Sequence, residues 1–319
     1  MRVIITGGAG FIGSHVVDAM LVAGHEPHVL DNLSSGNRLN LPADVEVTEL
    51  DIRDADAVSR AFERIRPDAV SHHAAQVSVS RSVRDPGLDA DINLVGLVNV
   101  LAAAHQSGSP RFVFASSGGA LYGETPKAAD EQTEATPISP YGIGKWAGEQ
   151  YLGWAASELG LASVSLRYSN VYGPRQSVEG EAGVVAAFCR DLEEGRRLTI
   201  HGDGCQTRDF VYVEDVARAN VAALERAIPG SHLVVNVSAG EAIDINRLAD
   251  RLQEEVARTL ERERVESPEH TPPREGDIRH SLLDPSAAAE LLGWHPSVAL
   301  EDGLARTVRW MVAASSDGD

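Results

Sequence analysis

Residues 6–13 read Thr-Gly-Gly-Ala-Gly-Phe-Ile-Gly, with the apolar stretch Val3-Ile4-Ile5 before them and an apolar helical pattern over 11–22 after them. Gly8, Gly10 and Gly13 have the spacing G-x-G-x-x-G, and the flanking strand and helix supply the context that this fingerprint requires. Glycines at such a turn let the backbone approach a pyrophosphate, which the N-terminus of the helix then binds. The stretch therefore predicts a dinucleotide-binding βαβ unit.

An acidic residue closes the next predicted strand. Residues 26–30 form that strand, and Asp31 follows it, 18 residues after Gly13. A carboxylate at this point accepts hydrogen bonds from the hydroxyls of an adenosine ribose and repels a 2′-phosphate. The sequence therefore predicts NAD rather than NADP as the cofactor. The alternative is a tight turn that uses glycine only for its backbone conformation.

Strands and helices alternate through the first half of the chain. Predicted strands cover 2–6, 26–30, 45–50, 69–71, 111–115 and 163–167, and predicted helices cover 11–22, 54–65, 88–107 and 139–159. Such alternation is typical of an α/β fold with a doubly wound parallel (Rossmann) sheet. Ligands bind at the carboxyl ends of the strands, where the chain places Gly7, Asp31, Asp51, Ala74, Ser117 and Tyr168.

The pattern loosens after residue 170. Helices are predicted at 183–194, 215–227 and 244–262, strands at 198–200, 209–213 and 233–237, and a further helix opening at Asp284-Pro285. We expect residues 1–170, with part of 209–237 packed on them, to form the NAD-binding Rossmann domain. Residues 171–319 then form mainly a smaller C-terminal α/β domain that binds substrate and closes over the sheet.

Tyr141 and Lys145 stand four residues apart in the predicted helix 139–159, so they share one face of it. An ammonium beside a phenol favours the phenolate and lowers the tyrosine pKa from its usual value of about 10. A tyrosine shifted in this way can act as an acid and a base. The alternative is an ordinary exposed Tyr and Lys. The catalytic interpretation is favoured because the chain has only two lysines and because the dinucleotide fingerprint precedes the pair.

Composition argues against several classes of partner. The net charge of −19 repels nucleic acid and anionic lipid, so we expect neither nucleic acid nor membrane as a partner. The two cysteines, Cys189 and Cys205, predict neither a disulfide framework nor a zinc site. His72 and His73 lack a third ligand at a metal-binding spacing, so we expect no metal. The N-terminus enters a strand directly and no apolar run reaches the length of a membrane span, which predicts a cytoplasmic protein.

Five motifs keep a characteristic order along the chain: Thr6–Gly13, Asp31-Asn32-Leu33, Ser116-Ser117, Tyr141–Lys145, and Arg-Tyr-Ser-Asn-Val-Tyr-Gly-Pro at 167–174. Together they resemble the extended short-chain dehydrogenase/reductases. More narrowly, the chain is similar to the UDP-glucose (UDP-galactose) 4-epimerases over nearly its whole length.

The resemblance implies a mechanism for 4-epimerisation of a UDP-hexose. Tyr141 would take the proton from the sugar 4-hydroxyl, and Ser117 would hydrogen-bond the 4-oxygen. Lys145 would hold the nicotinamide ribose and lower the pKa of Tyr141. Hydride would leave C4 for NAD and return to the opposite face of a 4-keto sugar that has turned about its diphosphate. This chemistry needs an acid/base group and a hydride acceptor that both reach C4.

The same resemblance assigns binding residues. On the cofactor they are Gly7, Gly10, Phe11, Ile12 and Gly13 at the pyrophosphate, Asp31 and Asn32 at the adenosine ribose, Asp51 and Ile52 at the adenine, and Ala74, Ala75, Asn93, Tyr141, Lys145 and Tyr168 at the nicotinamide end. On the UDP-sugar they are Ser117, Tyr141, Asn170, the diphosphate clamp Arg208 and Arg274, Asp277 at the uridine ribose, and Ser281. A surface salt bridge is the alternative for either clamp arginine.

The chain departs from the family in the loop after its fifth strand. Gly118-Gly119-Ala120 makes that loop one residue longer than is common, which leaves Ser116 as an alternative to Ser117 for the catalytic hydroxyl. No acid lies between Ser117 and Tyr122, which argues against a dehydratase or a decarboxylase. A UDP-glucuronate 4-epimerase stays open because Arg175 could pair with a carboxylate.

Three further expectations concern selectivity and assembly. Ser281 occupies a position that gates N-acetylated sugars in the family, and its small side chain predicts tolerance of UDP-GlcNAc and UDP-GalNAc. We expect a homodimer formed by the helices 88–107 and 139–159, with outward side chains among Leu94, Leu97, Leu101, Tyr151 and Trp154, unless these are core. A catalytically silent NAD-binding sensor on the same fold is the other class of function.

Overall fold

The computed structural model describes residues 1–178, 183–274 and 276–316, so Glu275 in the predicted clamp stretch lies outside the described residues. A seven-stranded, fully parallel sheet forms its centre, in the order β10-β6-β5-β4-β1-β2-β3. Its strands are β1 (Arg2–Thr6), β2 (Glu26–Asp31), β3 (Glu46–Glu49), β4 (Ala69–His72), β5 (Arg111–Ser117), β6 (Ala162–Tyr168) and β10 (His232–Val237). The predicted doubly wound α/β fold is confirmed.

Helices cover both faces of this sheet. They are α1 (Phe11–Val22), α2 (Ala55–Ile65), α3 (Val79–Arg84), α4 (Pro86–Ala90), α5 (Gly96–Gln106), α6 (Gly118–Tyr122), α7 (Pro140–Leu159) and α9 (Val213–Arg226). Successive strand residues point to opposite faces, so Val3 and Ile5 of β1 join one core while Ile4 joins the other. The first core contacts α1 and α9, and the second contacts α2, α5 and α7.

The second half of the chain contributes both to this sheet and to a smaller unit. The smaller unit contains β7 (Asn170–Tyr172), β8 (Thr199–His201), β9 (Thr207–Tyr212), β11 (Ala242–Asp244), β12 (Glu269–Thr271), α8 (Val184–Glu193), α10 (Ile245–Thr259) and α12 (Leu300–Ser316). β10 pairs with β6 in the central sheet, and α11 (Ser286–Leu292) packs its buried residues into the first core. The segment 284–294 therefore belongs structurally with the first half.

The helix that carries Tyr141 has clear start and stop signals. Ser139 precedes it and its hydroxyl accepts the N–H of Gly142 at 3.1 Å, while Pro140 occupies the first turn. Gly160 ends the helix in the left-handed conformation, with φ of 71°. The predicted span 139–159 is therefore right to within one residue.

Other boundaries differ from the sequence expectations. The predicted helix 88–107 is interrupted by a π-helical turn at Asp91–Val95 between α4 and α5. α11 begins at Ser286 rather than at Asp284-Pro285, and Asp284 instead accepts the N–H of Ser286 at 2.9 Å. The sequence patterns did not predict α3, α6, α12, β7, β11 or β12, which are mostly too short to show a periodicity.

Among the described residues, one helical stretch, Pro86–Gln106, is long and apolar enough to cross a membrane by length and composition. This corrects the expectation that no stretch reaches that length. Leu97 and Leu101 of this stretch are buried in the core beside α2 and α7, so they are not outward-facing side chains. Packing against the sheet is the physical reason for the apolar composition.

Candidate active site

The turn after β1 is shaped by close backbone contacts. Gly7 has a φ of +68°, and a Cβ on it would lie 2.6 Å from the backbone nitrogen of Ala74. A Cβ on Gly13 would lie 2.1 Å from the carbonyl oxygen of Gly7. Both positions therefore exclude any residue with a side chain. The turn draws the end of β4 against the start of α1, where a dinucleotide would cross the sheet.

The N-terminus of α1 has the chemistry of an anion site. Gly10 precedes α1, and no side chain caps this end of the helix. The first turn of α1 begins with Phe11 and Ile12 and contains no acidic residue. The first N–H groups of a helix lack intrahelical partners and carry the positive end of the helix dipole. These features fit the pyrophosphate of NAD.

Asp31 is held in place at the end of β2. Its carboxylate is buried and accepts the N–H of Ala9 at 2.9 Å and the N–H of Leu33 at 2.8 Å. Each carboxylate oxygen keeps a second lone pair, so the oriented group can still accept ribose hydroxyls. Asn32 is exposed, and its side-chain nitrogen lies 3.4 Å from the carboxylate of Asp51.

The predicted adenine residues have different environments. Asp51 is paired with Arg53 at 2.6 Å, and this guanidinium lowers the pKa of Asp51 to about 2. Ile52 is buried in the core, where its side chain fills the space that Gly96 leaves open. A contact from Ile52 to an adenine would therefore involve its main chain rather than its side chain.

The residues after β4 form a hydrogen-bonded loop. Thr6 accepts the N–H groups of His73 and Ala74, each at 3.2 Å, and Ala75 follows directly. Asn93 accepts the N–H of Gln76 at 2.8 Å and donates to the Gln76 carbonyl at 3.0 Å. Asn93 is buried and holds the main chain of Gln76 through these two hydrogen bonds. It therefore orients the loop that is predicted to contact the nicotinamide.

Tyr168 lies at the end of β6 and is buried. Its hydroxyl exchanges hydrogen bonds with the side chain of Asn220, at 2.9 and 3.2 Å. Burial raises the pKa of Tyr168 above its usual range. The phenol is therefore neutral and is oriented by Asn220.

Ser117 and Tyr141 meet at the carboxyl end of β5. The Ser117 hydroxyl caps α6 by accepting the N–H of Ala120 at 3.4 Å, and it lies close enough to the phenol of Tyr141 to favour a lower pKa of that phenol. A Cβ on Gly142 would lie 2.6 Å from the Ala120 carbonyl oxygen. Because Gly142 lacks a side chain, the start of α7 can approach α6 and bring the two hydroxyls together.

The neighbouring serine points the other way. Ser116 is buried, and its hydroxyl donates to the carboxylate of Glu149 at 2.6 Å. Successive residues of a strand alternate between faces. The geometry therefore favours Ser117 over Ser116 as the hydroxyl that faces a substrate.

Lys145 is buried on the same helix as Tyr141. Its ammonium donates to the Ala115 carbonyl at 2.7 Å, and lies 4.8 Å from the ring centroid of Phe114 and 5.8 Å from that of Tyr141. Burial lowers the pKa of Lys145 to about 8. The chain thus holds a lysine whose charge is sensitive to its surroundings.

The expected lowering of the Tyr141 pKa is not what the structure gives. Desolvation by burial raises the pKa of Tyr141 to about 12, and the nearby Ser117 hydroxyl opposes this rise only in part. The ammonium of Lys145 is directed at the Ala115 carbonyl. Burial therefore sets the direction of the Tyr141 shift.

The predicted UDP-binding residues lie in the second half. Arg208 forms an ion pair with Asp277, and its guanidinium also donates to the Thr207 carbonyl at 2.8 Å. Arg274 is exposed, and its carbonyl accepts the N–H of Asp277 at 3.3 Å. The structure thus brings the three together, but it pairs Arg208 with Asp277, so these groups contact each other in addition to any ligand.

Asn170 and Ser281 lie at different depths. Asn170 is exposed at the start of β7. Ser281 is only 3% exposed, and its hydroxyl lies 3.9 Å from the position that a Cβ on Gly119 would take. Ser281 therefore lies beside α6, the short helix that the structure forms where the sequence indicated a loop after Ser117.

Several residues that organise this site were missed in the sequence. Glu149 forms a bidentate ion pair with Arg167 at 2.9 and 2.6 Å, and Arg167 donates to Tyr122 at 2.7 Å. The spacing could have revealed Glu149, which is four residues after Lys145 and so lies on the same helix face. Asp89, buried beneath α7, gave no sequence signal.

The described residues contain no group of three His, Cys, Asp or Glu side chains that could hold a metal. His72 bonds to Thr6 at 2.8 Å and stacks on Phe114, while His73 contacts the hydroxyl of Ser71 at 2.9 Å. Burial lowers the pKa of both histidines, so they are neutral side chains of the sheet edge.

A glycine-shaped turn, an oriented acid and a Ser–Tyr–Lys set at one edge of a doubly wound sheet define a dinucleotide-dependent enzyme of the extended short-chain dehydrogenase/reductase class. Residues 3–238 match the NAD dependent epimerase/dehydratase family. The chain belongs to this family, and NAD is its cofactor, as the sequence predicts.

Individual relatives agree in length and shape. The chain is 43% identical over 316 residues to a UDP-glucose 4-epimerase of Mycolicibacterium smegmatis, covering 97% of this chain and 98% of the relative. A UDP-glucose 4-epimerase of Thermotoga maritima, solved with UDP-glucose, superposes with a TM-score of 0.93 at 44% identity, over 99% of this chain and all of that one. A UDP-glucose 4-epimerase of Thermus thermophilus, solved with NAD, gives 0.89 at 44% identity, over 98% of this chain and all of that one.

Proposed function

We propose that this protein is a UDP-glucose 4-epimerase, which interconverts UDP-glucose and UDP-galactose through a transient 4-keto sugar. The observation that carries the proposal is the meeting of Ser117, Tyr141 and Lys145 at the sheet edge that the Gly7–Gly13 turn prepares for NAD. Bound NAD supplies the hydride acceptor and donor for C4 of the sugar. Everything else in the reaction is assigned to side chains of this chain.

Tyr141 exchanges the proton of the sugar 4-hydroxyl in this proposal. A phenol with a pKa of about 12 holds its proton firmly at neutral pH, so it is well suited to return a proton to a 4-oxygen. Its service as a base requires added positive charge, and Lys145 is the cation that α7 places nearest. Ser117, whose hydroxyl lies beside Tyr141, is assigned to hold the 4-oxygen.

The nucleotide end is assigned to Arg208, Arg274, Asp277 and Asn170. Arginine suits a diphosphate because its planar fork binds two oxygens at once. The ion pair between Arg208 and Asp277 must open, or share its guanidinium, when a diphosphate binds. We propose that this exchange couples ligand binding to the position of the 274–277 segment.

The sugar end is bounded by Ser281 and the loop after Ser117. Because Ser281 is small and sits beside Gly119, we propose that the site also accepts the N-acetylated UDP-sugars. A glucuronate substrate is less well supported, since Arg175 already pairs with Asp18 at 2.7 Å. The carboxylate of Asp18 therefore already pairs with the Arg175 guanidinium that the carboxylate of a glucuronate would need.

The proposed assembly is a homodimer through α7 and its neighbours. α7 and the neighbouring segments expose large apolar side chains, namely Val79, Val83, Val95, Ile143, Trp146, Tyr151 and Trp154. Aromatic side chains with this much exposure are typical of protein–protein interfaces. Trp154→Glu is expected to yield a monomer in analytical ultracentrifugation, and an unchanged sedimentation coefficient would contradict this interface.

We further propose that the enzyme is cytoplasmic.

The function is tested by a coupled assay with UDP-galactose, UDP-GalNAc and UDP-galacturonate as separate substrates, without added NAD. We expect turnover of UDP-galactose that Tyr141→Phe abolishes, with bound NAD retained by both proteins. Turnover of UDP-galacturonate alone would replace the proposal by the glucuronate epimerase. Tightly bound NAD without turnover of any of the three would favour a sensor.

A further inference from the structure

Asp89 is a buried carboxylate that lies against α7, the helix that carries Tyr141 and Lys145. It belongs to the short helix α4 and is 1% exposed. A Cβ on Gly144 would lie 3.6 Å from its Oδ2 atom, and Gly144 directly precedes Lys145. Burial of a carboxylate in such a position costs free energy unless hydrogen bonds and an opposite charge compensate it.

The hydrogen-bond partners of Asp89 are neutral amides. Its Oδ1 atom accepts from the side chain of Asn93 at 3.0 Å and from that of Gln76 at 2.9 Å. Asn93 stands in the π-helical turn, which follows α4 directly. These amides orient the carboxylate but cannot cancel its charge, and no ion pair within 4 Å involves Asp89 in the described part of the chain.

The other titratable groups that face Lys145 are compensated or neutral. Glu149, on the same helix, is paired with Arg167. Burial lowers the pKa of His72, and it lowers that of His73 to about 3, so both imidazoles of β4 are neutral near pH 7. β5 offers the Ala115 carbonyl and the Phe114 ring, which do not titrate. Among the described residues, Asp89 is therefore the carboxylate near Lys145 whose charge no other cation offsets.

We propose that Asp89 is a positioning residue that keeps the ammonium of Lys145 protonated, and so keeps the Tyr141–Lys145 pair active above neutral pH. Burial lowers the pKa of Lys145 to about 8, and the charges of Asp89 and then Glu149 oppose that fall. The same charge raises the pKa of Tyr141. Removal of the Asp89 charge should therefore lower the pKa of both Lys145 and Tyr141, and this result distinguishes an effect of charge from an effect of packing. The inference rests on the proposed function only for its kinetic readout.

The direct test measures the titration of Lys145 in the NAD-loaded protein. The chain has two lysines, Lys127 and Lys145, so lysine labelled with ¹³C at Cε gives two NMR signals, which Lys127→Arg assigns. Asp89→Asn keeps the oxygen that accepts from both amides and removes the charge. We expect the midpoint of Lys145 to fall by about one pH unit or more, as for loss of a nearby opposite charge, while the Lys127 signal is unaffected.

A matched control comes from the same helix. Asp85 is exposed and caps α4 through the N–H of Leu88 at 3.0 Å. Asp85→Asn keeps a good cap and removes one charge from α4 at its outer end, so the Lys145 midpoint should not move. Should Asp89→Asn fail to fold, Asp89→Ser is expected to give the same fall. An unchanged midpoint in a folded Asp89 variant overturns the inference.

The kinetic readout separates charge from structure. In Asp89→Asn the alkaline limb of the kcat profile should move to lower pH, with about a tenfold loss at pH 9 for a one-unit shift. At pH 6 kcat should stay within about twofold of wild type, because Lys145 is protonated in both proteins. A uniform loss at all pH values would indicate a packing role only. If wild type turns over no UDP-sugar, the proposed function fails, but the lysine titration still decides this inference.

Discussion

Ser117→Ala and Ser116→Ala remove the same hydroxyl at adjacent positions, and the structure predicts opposite phenotypes for them. Ser117 lies beside the phenol of Tyr141 at the carboxyl end of β5. Ser116, the preceding residue of β5, is buried and donates to Glu149 at 2.6 Å. One variant should therefore damage the reaction, and the other should damage the fold.

The magnitudes follow from what each hydroxyl contacts. Loss of one preorganised donor to a developing oxyanion costs about 10²–10³ in kcat, so Ser117→Ala should lose about a hundredfold with little change in KM. Loss of a hydrogen bond to a buried charged group costs about 1.5–3 kcal/mol. For Ser116→Ala this corresponds to a fall in Tm of about 5 °C, given about 2–4 °C per kcal/mol for large domains.

The assay compares kcat and Tm for both variants on the same UDP-sugar. Ser117→Ala should unfold near the wild-type temperature, because Ser117 is half-buried and its hydroxyl accepts only a long hydrogen bond from the N–H of Ala120. Ser116→Ala should keep kcat within about threefold of wild type, since Ser116 does not face the site. A hundredfold loss of kcat in Ser116→Ala, with a near-normal Ser117→Ala, would refute the assignment of Ser117.

Three other perturbations test the surroundings. Arg167→Met leaves the buried charge of Glu149 unpaired, so we expect about 3–5 kcal/mol of lost stability by chemical unfolding, and less when Glu149→Leu is added; equal losses would contradict the pairing. Burial raises the pKa of Asp209 to about 6, so the stability that Asp209 contributes is present at pH 4 and is lost as the pH rises through 6. The difference in Tm between wild type and Asp209→Asn should therefore shrink from pH 4 to pH 6. A constant difference in Tm would contradict the raised pKa. Ser281→Tyr should lower kcat/KM for UDP-GalNAc at least tenfold more than for UDP-galactose, and equal effects on both would show that Ser281 does not gate the sugar.

The sequence predicted the first half of the fold well because its signals are local. Val3-Ile4-Ile5, the glycines that follow and the cap at Ser139 each act over a few residues. Gly7 and Gly13 are required by contacts below 3 Å, which the motif anticipates without coordinates. The dinucleotide site could therefore be located before any tertiary contact was known.

The pKa of Tyr141 could not be predicted in the same way. The spacing to Lys145 correctly indicates a shared helix face, but the sign of the shift depends on the balance between burial and charge. Burial depends on α6 and on the close approach at Gly142, whose Cβ would meet the Ala120 carbonyl at 2.6 Å. The sequence also gives no sign that Asp89, 56 residues before Lys145, would share its environment.

The second half was harder because its contacts join distant residues. Glu124 accepts the N–H groups of Arg279 and His280, each at 2.7 Å, and so ties the loop after Ser117 to the segment that carries Ser281. The segments that carry the proposed catalytic serine and the proposed sugar-bounding Ser281 are therefore linked by a carboxylate that belongs to neither motif. If Ser281 bounds the sugar as proposed, we expect selectivity to depend on these two hydrogen bonds of Glu124 as well as on the size of Ser281, because their loss would let the two segments move apart.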